Sequence, residues 1–315
     1  MKMVLGVVTL AYFLDLLLGD PRVPWHPVRG IGRLILFFER VLYERKGDGK
    51  LLGILLVVGT TVTVLAVTAG LLQLSKAVHP YVHYGLSVIL IYFALSVKDL
   101  AVEAEPVRKA LEEKDVLRAR QNLSMIVGRD TQDLEEPEIV RAAVETVAES
   151  TMDGIVAPLC YAFLGGPLLA WFYKTVNTLD SMVGYENDRY RDFGWASAKL
   201  DAWLNLIPAK ITALLIGAAM IVLRKRWRSS FRWTGRFFFS GPSGNGDITE
   251  AAMAGGLGVR LGGRNVYAGK VVDKAFLGEA VEPLKPGHIR VAVRTAYIVS
   301  GLTVLGGWAT LHLWR

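Results

Sequence analysis

The chain has 315 residues, 52% of them hydrophobic and 21% charged, with a mean hydropathy of +0.35; this excludes a disordered chain and exceeds what a soluble domain normally carries. A single cysteine, Cys160, excludes an intramolecular disulfide, a multi-cysteine zinc site and a cysteine-ligated iron–sulfur cluster, and the one pair of histidines four apart, His79 and His83, lacks the glutamate of a His-Glu-x-x-His motif. A net charge of +7 in so apolar a chain records orientation across a bilayer rather than a nucleic-acid partner.

The expected fold is all-α: a polytopic integral membrane protein of one membrane domain over 1–315, with four to six membrane segments and large cytoplasmic helical loops. About 20 apolar residues cross the hydrocarbon as a helix, because only a helix satisfies its own backbone there. Six segments qualify: 3–19, 51–74, 81–97, 154–173, 202–223 and 295–314, the last with Trp308 and Trp314 near an end. The first contains Asp15 and the fifth Lys210 and Pro208. Segment 3–19 lacks a small-residue cleavage site and is read as retained. Loops 20–50, 98–153 and 224–294 carry 7, 8 and 13 Lys and Arg, against 1, 1, 4 and 1 elsewhere outside the segments, which places them in the cytoplasm of a multi-pass cell-membrane protein. Gly165-Gly166-Pro167 interrupts the fourth segment and Pro208 the fifth, so either is expected to be broken or re-entrant. With only four crossings, 174–201 would also be cytoplasmic.

After the first segment, three prolines among 21–27 stiffen a loop at the membrane surface. Ile31, Leu34, Ile35, Phe38, Val41 and Leu42 then recur at helical spacing among Arg29, Arg33, Arg40 and Arg45, a basic amphipathic helix on the headgroups. It reads either as an anchor or as a surface from which Arg22, His26 and Arg29 meet an anionic ligand. The charged stretch 103–120 reads as a solvated helical arm. Pro137 suits a first helical position, and Glu138, Glu145, Glu149 and Asp153 then follow along one face, with Val140, Val144 and Val147 opposite. Arg141 stands four before Glu145 and can pair with it, whereas no Lys or Arg stands three or four from Glu149 or Asp153. The last two are a solvated face or a site for Mg²⁺ or a substrate ammonium.

The segment 174–195 is dense in hydrogen-bonding groups: Asn177, Asp180, Tyr185, Asn187, Arg189, Tyr190, Arg191 and Asp192 suit phosphate, amide and metal, although a juxtamembrane loop also accounts for them. The cluster Arg224, Lys225, Arg226 and Arg228 anchors a cytoplasmic edge and attracts anionic lipid. Nine glycines follow within 241–269, where Asp247 with Glu250 reads as a helix cap and neighbouring N–H groups suit an anion. No phosphate-binding loop or dinucleotide fingerprint occurs.

Four stretches, taken together, resemble the CbiB/CobD family of cobalamin-biosynthesis membrane proteins, the adenosylcobinamide-phosphate synthases: Gly-Asp-Pro to His-Pro-Val-Arg-Gly-Ile-Gly at 19–32, Glu-Thr-Val-Ala-Glu-Ser-Thr-Met-Asp-Gly-Ile-Val-Ala-Pro-Leu at 145–159, the Val-Asn-Thr-Leu-Asp-Ser-Met and Asn-Asp-Arg-Tyr-Arg-Asp-Phe-Gly-Trp runs within 176–198, and Glu-Ala-Ala-Met-Ala-Gly-Gly-Leu-Gly-Val-Arg-Leu-Gly-Gly at 250–263. The chain departs from the family at 243–249, where the family favours Ser-Pro-Asn-Ala-Gly-Trp-Pro.

The resemblance implies an ATP- and Mg²⁺-dependent amide ligation, without a bound prosthetic group, joining aminopropanol or its phosphate to a propionate of adenosylcobyric acid. The residues are then expected to divide as follows. Glu149, Asp153 and Asp180 hold the metal or ammonium; Arg189 and Arg191 meet phosphates; Glu145 is a candidate base. Asn177, Tyr185, Asn187, Tyr190 and Asp192 orient the arms, Asp20, His26 and Arg29 meet corrin side chains, and Ser243, Asn245 and Glu250 line the substrate site. Membrane lipid and other late cobalamin-pathway enzymes are the expected partners. A corrinoid or vitamin transporter and a non-catalytic scaffold of the pathway are the alternatives.

Overall fold

A computed structural model describes the chain except Met1, Arg22, Pro24, 44–46, Glu186, Ala268 and 314–315. The expectations placed on Arg22, Arg45 and Trp314 fall outside the described residues. The elements in chain order are helices α1 (Lys2–Leu18), α2 (Pro27–Tyr43), α3 (Gly49–Val78), α4 (Pro80–Tyr92), α5 (Val97–Glu112), α6 (Val116–Ser124), α7 (Glu136–Thr151), α8 (Ala157–Val183), α9 (Trp195–Val222), α10 (Trp227–Phe237) and α11 (Asn245–Leu257), strands β1 (Arg260–Tyr267) and β2 (Lys270–Gly278), and helix α12 (Pro286–Leu313). The stretches Gly49–Val78, Pro80–Glu112, Glu136–Val183, Trp195–Val222 and Pro286–Leu313 are long and apolar enough to cross a membrane, and Met3–Leu18 is a shorter apolar helix. The all-α polytopic expectation holds, with one two-stranded hairpin that it did not contain.

The chain divides into two compact units, one of Met1–Ser96, Ala157–Asn205 and Val304–Arg315, the other of Val97–Val156 and Leu206–Thr303.

In the first unit α3 and α4 form a tight antiparallel pair. Asp48 starts α3 by accepting from the Lys50 N–H at 2.8 Å, and His79 ends α3 and starts α4, its Nδ1 accepting from the Tyr81 N–H at 3.3 Å with Pro80 following. The α2 helix buries Ile31, Ile35 and Leu42 against Leu56, Val57, Leu179 and Phe193, and leaves Arg29, Arg33 and Arg40 exposed, the amphipathic pattern expected of it.

The α8 helix is broken where the glycines suggest. Gly165 (φ −148°, ψ 24°) and Gly166 (φ 63°, ψ −150°) leave the helical region, and the second conformation is open to glycine alone. The chain doubles back there: the rings of Tyr161 and Tyr173 stack with centroids 5.1 Å apart, whereas twelve residues of straight helix would separate them by about 18 Å. The fourth segment is therefore a helical hairpin rather than one straight helix. A cavity of about 110 Å³ beside the turn is lined by Met3, Val7, His83, Gly166 and Leu168, among others. Past the hairpin, the first turns of α3 meet the end of the 184–194 loop: a Cβ on Gly53 would fall 2.0 Å from the Phe193 carbonyl oxygen. The 20–50 and 174–201 loops thus share one end of this unit, as in the four-crossing alternative.

The break expected at Pro208 is absent, because α9 runs through it. A helix-interior proline leaves the carbonyl four residues earlier without its donor. The Tyr161 hydroxyl supplies one, donating to the Leu204 carbonyl at 3.0 Å.

In the second unit α11 is buried along its whole length and packs on α10, α7 and the hairpin. The close approach of α10 uses Gly255, where a Cβ would lie 2.7 Å from the Ser229 carbonyl oxygen. The 103–120 stretch corrects its expectation. Instead of a solvated arm, α5 buries Ala104, Val107, Ala110 and Leu111 and packs on α7, with Arg108 buried between Glu105 and Glu112. In the hairpin, β1 and β2 pair antiparallel with an irregularity between Leu261 and Gly263. Gly262 (φ 75°) lies so close to β2 that a Cβ would be 2.0 Å from the Ala275 oxygen.

Gly166→Ala is expected to cost about 1–3 kcal/mol through its backbone conformation, and to lower the thermal midpoint of the detergent-solubilised protein. Gly85→Ala, on α4 with open space around it, is the control and leaves the midpoint unchanged or raised. Equal melting of Gly166→Ala and parent would contradict the doubled-back α8. Tyr161→Phe is expected to destabilise by about 1–3 kcal/mol by orphaning the Leu204 carbonyl; an unchanged midpoint would show that the carbonyl has another donor.

Candidate functional site

In the second unit α7 starts with a capping box, Glu135 reciprocating with Glu138, and Pro137 in its first turn. Glu138 is thereby a capping residue rather than part of an acidic row. Two turns on, Glu145 is buried and fully engaged. Its Oε1 accepts from the Gly262 N–H at 2.8 Å and from Arg141 Nη1 at 3.4 Å, and its Oε2 from Arg129 Nη2. Arg129 also donates to Asn265 Oδ1 at 2.7 Å, and Arg141 to the carbonyls of Gly262 and Arg264 at 2.5 and 2.9 Å. Glu145 thus joins α7 to β1. The structure places Glu145, the candidate base, with its two oxygens already holding two guanidinium groups and a backbone N–H.

Glu250 is its opposite. It lies on α11 at 2% exposure, and its Oε2 has no hydrogen-bond partner. Asp247 and Glu250 do not cap α11, whose first residue follows Gly244 with no side-chain cap. Gly246 opens space between two carboxylates: its Cβ position lies 3.9 Å from Glu250 Oε1 and 4.0 Å from Glu149 Oε1. Burial, then Glu145, and further Glu149 and Asp247 push the Glu250 carboxyl up to about 8, against the opposing pull of Lys274. The Lys274 ammonium is itself held above its ordinary range, the carboxylates led by Glu250 outweighing its desolvation. A second orphan, Asn265 Nδ2, is buried beside Arg129. Glu149 is exposed, Asp153 half-buried one turn on, Asn245 buried and Ser243 exposed. Among the described residues no group of three or more His, Cys, Asp or Glu is arranged to hold a metal.

The first unit carries the other expected residues. Asp20 Oδ1 lies 2.6 Å from His26 Nε2, and His26 Nδ1 accepts from the Val28 N–H at 3.3 Å, so the ring sits buried against Phe93 and braces the loop. Arg29 is exposed. Glu39, buried on α2, accepts from Arg189 Nη2 and from the Tyr190 hydroxyl, each at 2.8 Å, and the Arg189 guanidinium lies 4.9 Å over the Tyr43 ring. Arg189 and Tyr190 are thus tied to α2, while the Arg189 side chain stays largely exposed. Asn187 Oδ1 accepts from the N–H groups of Arg189 and Tyr190 at 3.1 and 2.9 Å and shapes the turn. Arg191 and Asp192, with Lys50, Asn187, Asp188 and Trp195, line an open cleft of about 750 Å³. Asn177 Nδ2 donates to Asp201 Oδ1 at 3.4 Å, and Asp201 also receives Asn205 Nδ2 at 2.9 Å. Asp180 Oδ1 crowds Gly184, within 2.0 Å of its Cβ position, and Tyr185 is exposed.

Sequence reasoning missed Glu39, Lys50, Trp195, Arg129, Asn265 and Lys274. Glu39 had a signal, since it continues the Ile31 and Ile35 spacing on the buried face of α2. Arg129 had none: it lies in a turn held to the hairpin by the Asp130 N–H to the Val266 carbonyl at 2.8 Å.

Residues 8–296 match the CobD/Cbib protein family. Cobalamin biosynthesis protein CobD of Clostridium perfringens is 43% identical over 300 residues, 95% of this chain and 94% of that protein. The CobD of Geobacter metallireducens is 44% identical over 300 residues, with the same shares of both chains. Cobalamin biosynthesis protein CbiB of Salmonella typhimurium is 41% identical over 303 residues, 94% of this chain and 93% of the other. No solved structure matches the chain. Two differently fastened carboxylates on α7 and α11, in a helical membrane chain matched from end to near end by these relatives, fit one conclusion: the chain belongs to the CobD/CbiB family of cobalamin biosynthesis proteins.

Proposed function

We propose that the protein forms an amide between a propionate of adenosylcobyric acid and aminopropanol or its O-phosphate, at the expense of ATP. The observation that carries this reading is Glu250, a buried carboxyl with an unsatisfied oxygen. Amide formation needs a group that takes a proton from the attacking amine, and the other buried acid of this unit among the described residues, Glu145, is engaged in ion pairs. Glu250 Oε2 accepts the proton as the nitrogen bonds to the carbonyl carbon and the activated oxygen leaves with its electron pair. A carboxyl tuned to about 8 by burial and neighbouring acids is matched to that task near neutral pH.

Bound MgATP supplies the phosphoryl group that converts a carboxylate oxygen into a leaving group. Mg²⁺ arriving with nucleotide phosphates takes one or two protein carboxylates and keeps several waters. Exposed Glu149 and half-buried Asp153, one turn apart on the same face, suit that demand better than a closed cage. Glu145, Arg129 and Arg141 hold β1 against α7 and so fix the walls. By their Lys and Arg counts, loops 20–50, 98–153 and 224–294 face the cytoplasm, where nucleotide is available.

Incubating the purified protein with adenosylcobyric acid, aminopropanol phosphate and MgATP is expected to yield the cobinamide product by mass spectrometry. Corrinoid flux into vesicles without ATP consumption would support transport instead. Glu250→Gln is expected to lower turnover by roughly 10²–10⁴-fold with folding retained; parental turnover in that variant would remove Glu250 from the mechanism. Glu145→Gln, which leaves two buried guanidinium groups short of an anion, is expected to lose about 3–5 kcal/mol of stability.

The two effects of pH on Glu250 have opposite signs. Its folded pKa lies above the unfolded value of 4.5, so the fold holds a proton that the unfolded chain releases. Stability is therefore expected to fall as pH rises from about 4.5 to about 8. The rate, which needs the ionised base, is expected to rise towards the same upper limit. Glu250→Gln should flatten the stability profile in melts across that range; an unaltered slope would assign it to other groups.

A further inference from the structure

The α10 helix turns one face inward and leaves the other without an acid to meet it. Ser230, Trp233 and Thr234 are buried, and the Ser230 hydroxyl donates to the Ala252 carbonyl of α11 at 2.8 Å. The outward face carries Arg228, Arg232 and Arg236, all exposed and each one turn beyond the last. Along the helix axis they stand about 6 Å apart. Among the described residues none of the three is paired with a carboxylate. Arg228 and Arg236 lie instead over the rings of Trp227 and Trp233, at 5.1 and 4.2 Å from their centres. Three aligned cations without a counter-ion suit an extended anionic surface better than a single ion.

The helix also runs back along α9. A Cβ on Gly217 would fall 2.6 Å from the Phe231 ring, and the Lys210 ammonium lies 5.6 Å from the centre of the Phe238 ring. From the first contact to the second the chain steps back seven residues on α9 and forward seven past it, so the pair is antiparallel. Lys210, the charge within the fifth apolar segment, thus comes level with the end of the arginine row, and it too meets no acid among the described residues. A lysine in a stretch of spanning length needs an anion or a route to the interface. Phe239, next in the chain after Phe238, is 92% exposed. A nucleic acid would engage the arginines and leave that ring in water, whereas a lipid engages both.

We propose that this face of α10, together with Lys210, docks on anionic phospholipid. The arginine row and Lys210 hold the headgroup phosphates, and Phe239 enters the adjoining acyl region. The proposal is independent of the ligation reading, which uses none of these side chains.

The test is native mass spectrometry of the full-length protein, titrated in detergent with phosphatidylglycerol or phosphatidylcholine. One basic residue beside an anionic headgroup is worth about fivefold in affinity, so phosphatidylglycerol is expected to bind at least about fivefold more tightly than phosphatidylcholine. The triple variant R228Q/R232Q/R236Q is expected to bind the two lipids equally, and R228K/R232K/R236K, which keeps the charge, to retain the preference. Lys109→Gln, Lys114→Gln and Arg118→Gln together remove as much charge from exposed positions on α5, on α6 and between them, and are expected to retain it as well. Circular dichroism and gel filtration report the folding of each variant. Should the triple glutamine variant misfold, Arg232→Gln alone, the member of the row without a ring contact, is expected to weaken phosphatidylglycerol about fivefold. Equal binding of the two lipids by the parent, or a preference that survives in the glutamine variants, overturns the proposal. Equal lipid binding alongside pyrophosphate or oligonucleotide binding that the glutamine variant loses would assign the row to a soluble polyanion, and overturns it too. Cobinamide formation, measured on the same preparations, reports separately on the ligation reading.

Discussion

A backbone inside hydrocarbon has no water to turn to, so every interrupted helix there must supply its own partners. The first unit meets this demand twice, and the same tyrosine serves both places. Where α8 breaks at Gly165 and Gly166, the returning limb brings Tyr173 onto Tyr161. Where Pro208 removes a donor from α9, the Tyr161 hydroxyl supplies one to the Leu204 carbonyl. Because α8 returns, the polar residues that follow it reach the same end of the unit as α2 and Lys50. The Glu39, Arg189 and Tyr190 contacts and the open cleft depend on that return.

The second unit turns on the contrast between two buried acids. Glu145 has a guanidinium on each oxygen and a backbone N–H besides, and its contribution is mechanical, fastening α7 to the hairpin. Glu250 is as deeply buried with one oxygen left unsatisfied, on a buried helix made largely of small residues. Burying an acid without a partner costs stability. A protein that keeps such a group holds a proton site ready for chemistry, and the surrounding acids raise its affinity for that proton.

Much of this was legible in the sequence. The long apolar runs gave α3, α4, α8, α9 and α12, because hydrocarbon admits no other regular single-chain element at that length. The glycine pair in segment four announced its break, since an adjacent pair before proline has no helical use. Arg141 four before Glu145 announced their pair. The rest depended on contacts across long intervals. Nothing near Pro208 reveals that a hydroxyl some 47 positions earlier will repair its helix. The hairpin was hidden by its glycines, which weaken strand propensity while shaping the irregularity at Gly262. Asp247 and Glu250 have the spacing of a cap, yet Glu250 points into the interior, because burial of α11 on all sides overrides a local rule. That Arg189 meets Glu39, 150 positions away, could not be read from either segment alone.

The doubled-back α8 also bears on how the protein is made. As it leaves the ribosome, its run of uncharged residues resembles an ordinary crossing, but the turn of the hairpin rests against Met3, Val7 and His83, on helices synthesised earlier. Those helices are already in the bilayer when α8 emerges, since synthesis delivers them first. The order of translation is thereby an order of assembly: a hairpin that reaches the lipid before its neighbours have gathered has no surface on which to turn, and chaining this segment behind foreign helices would lock it straight.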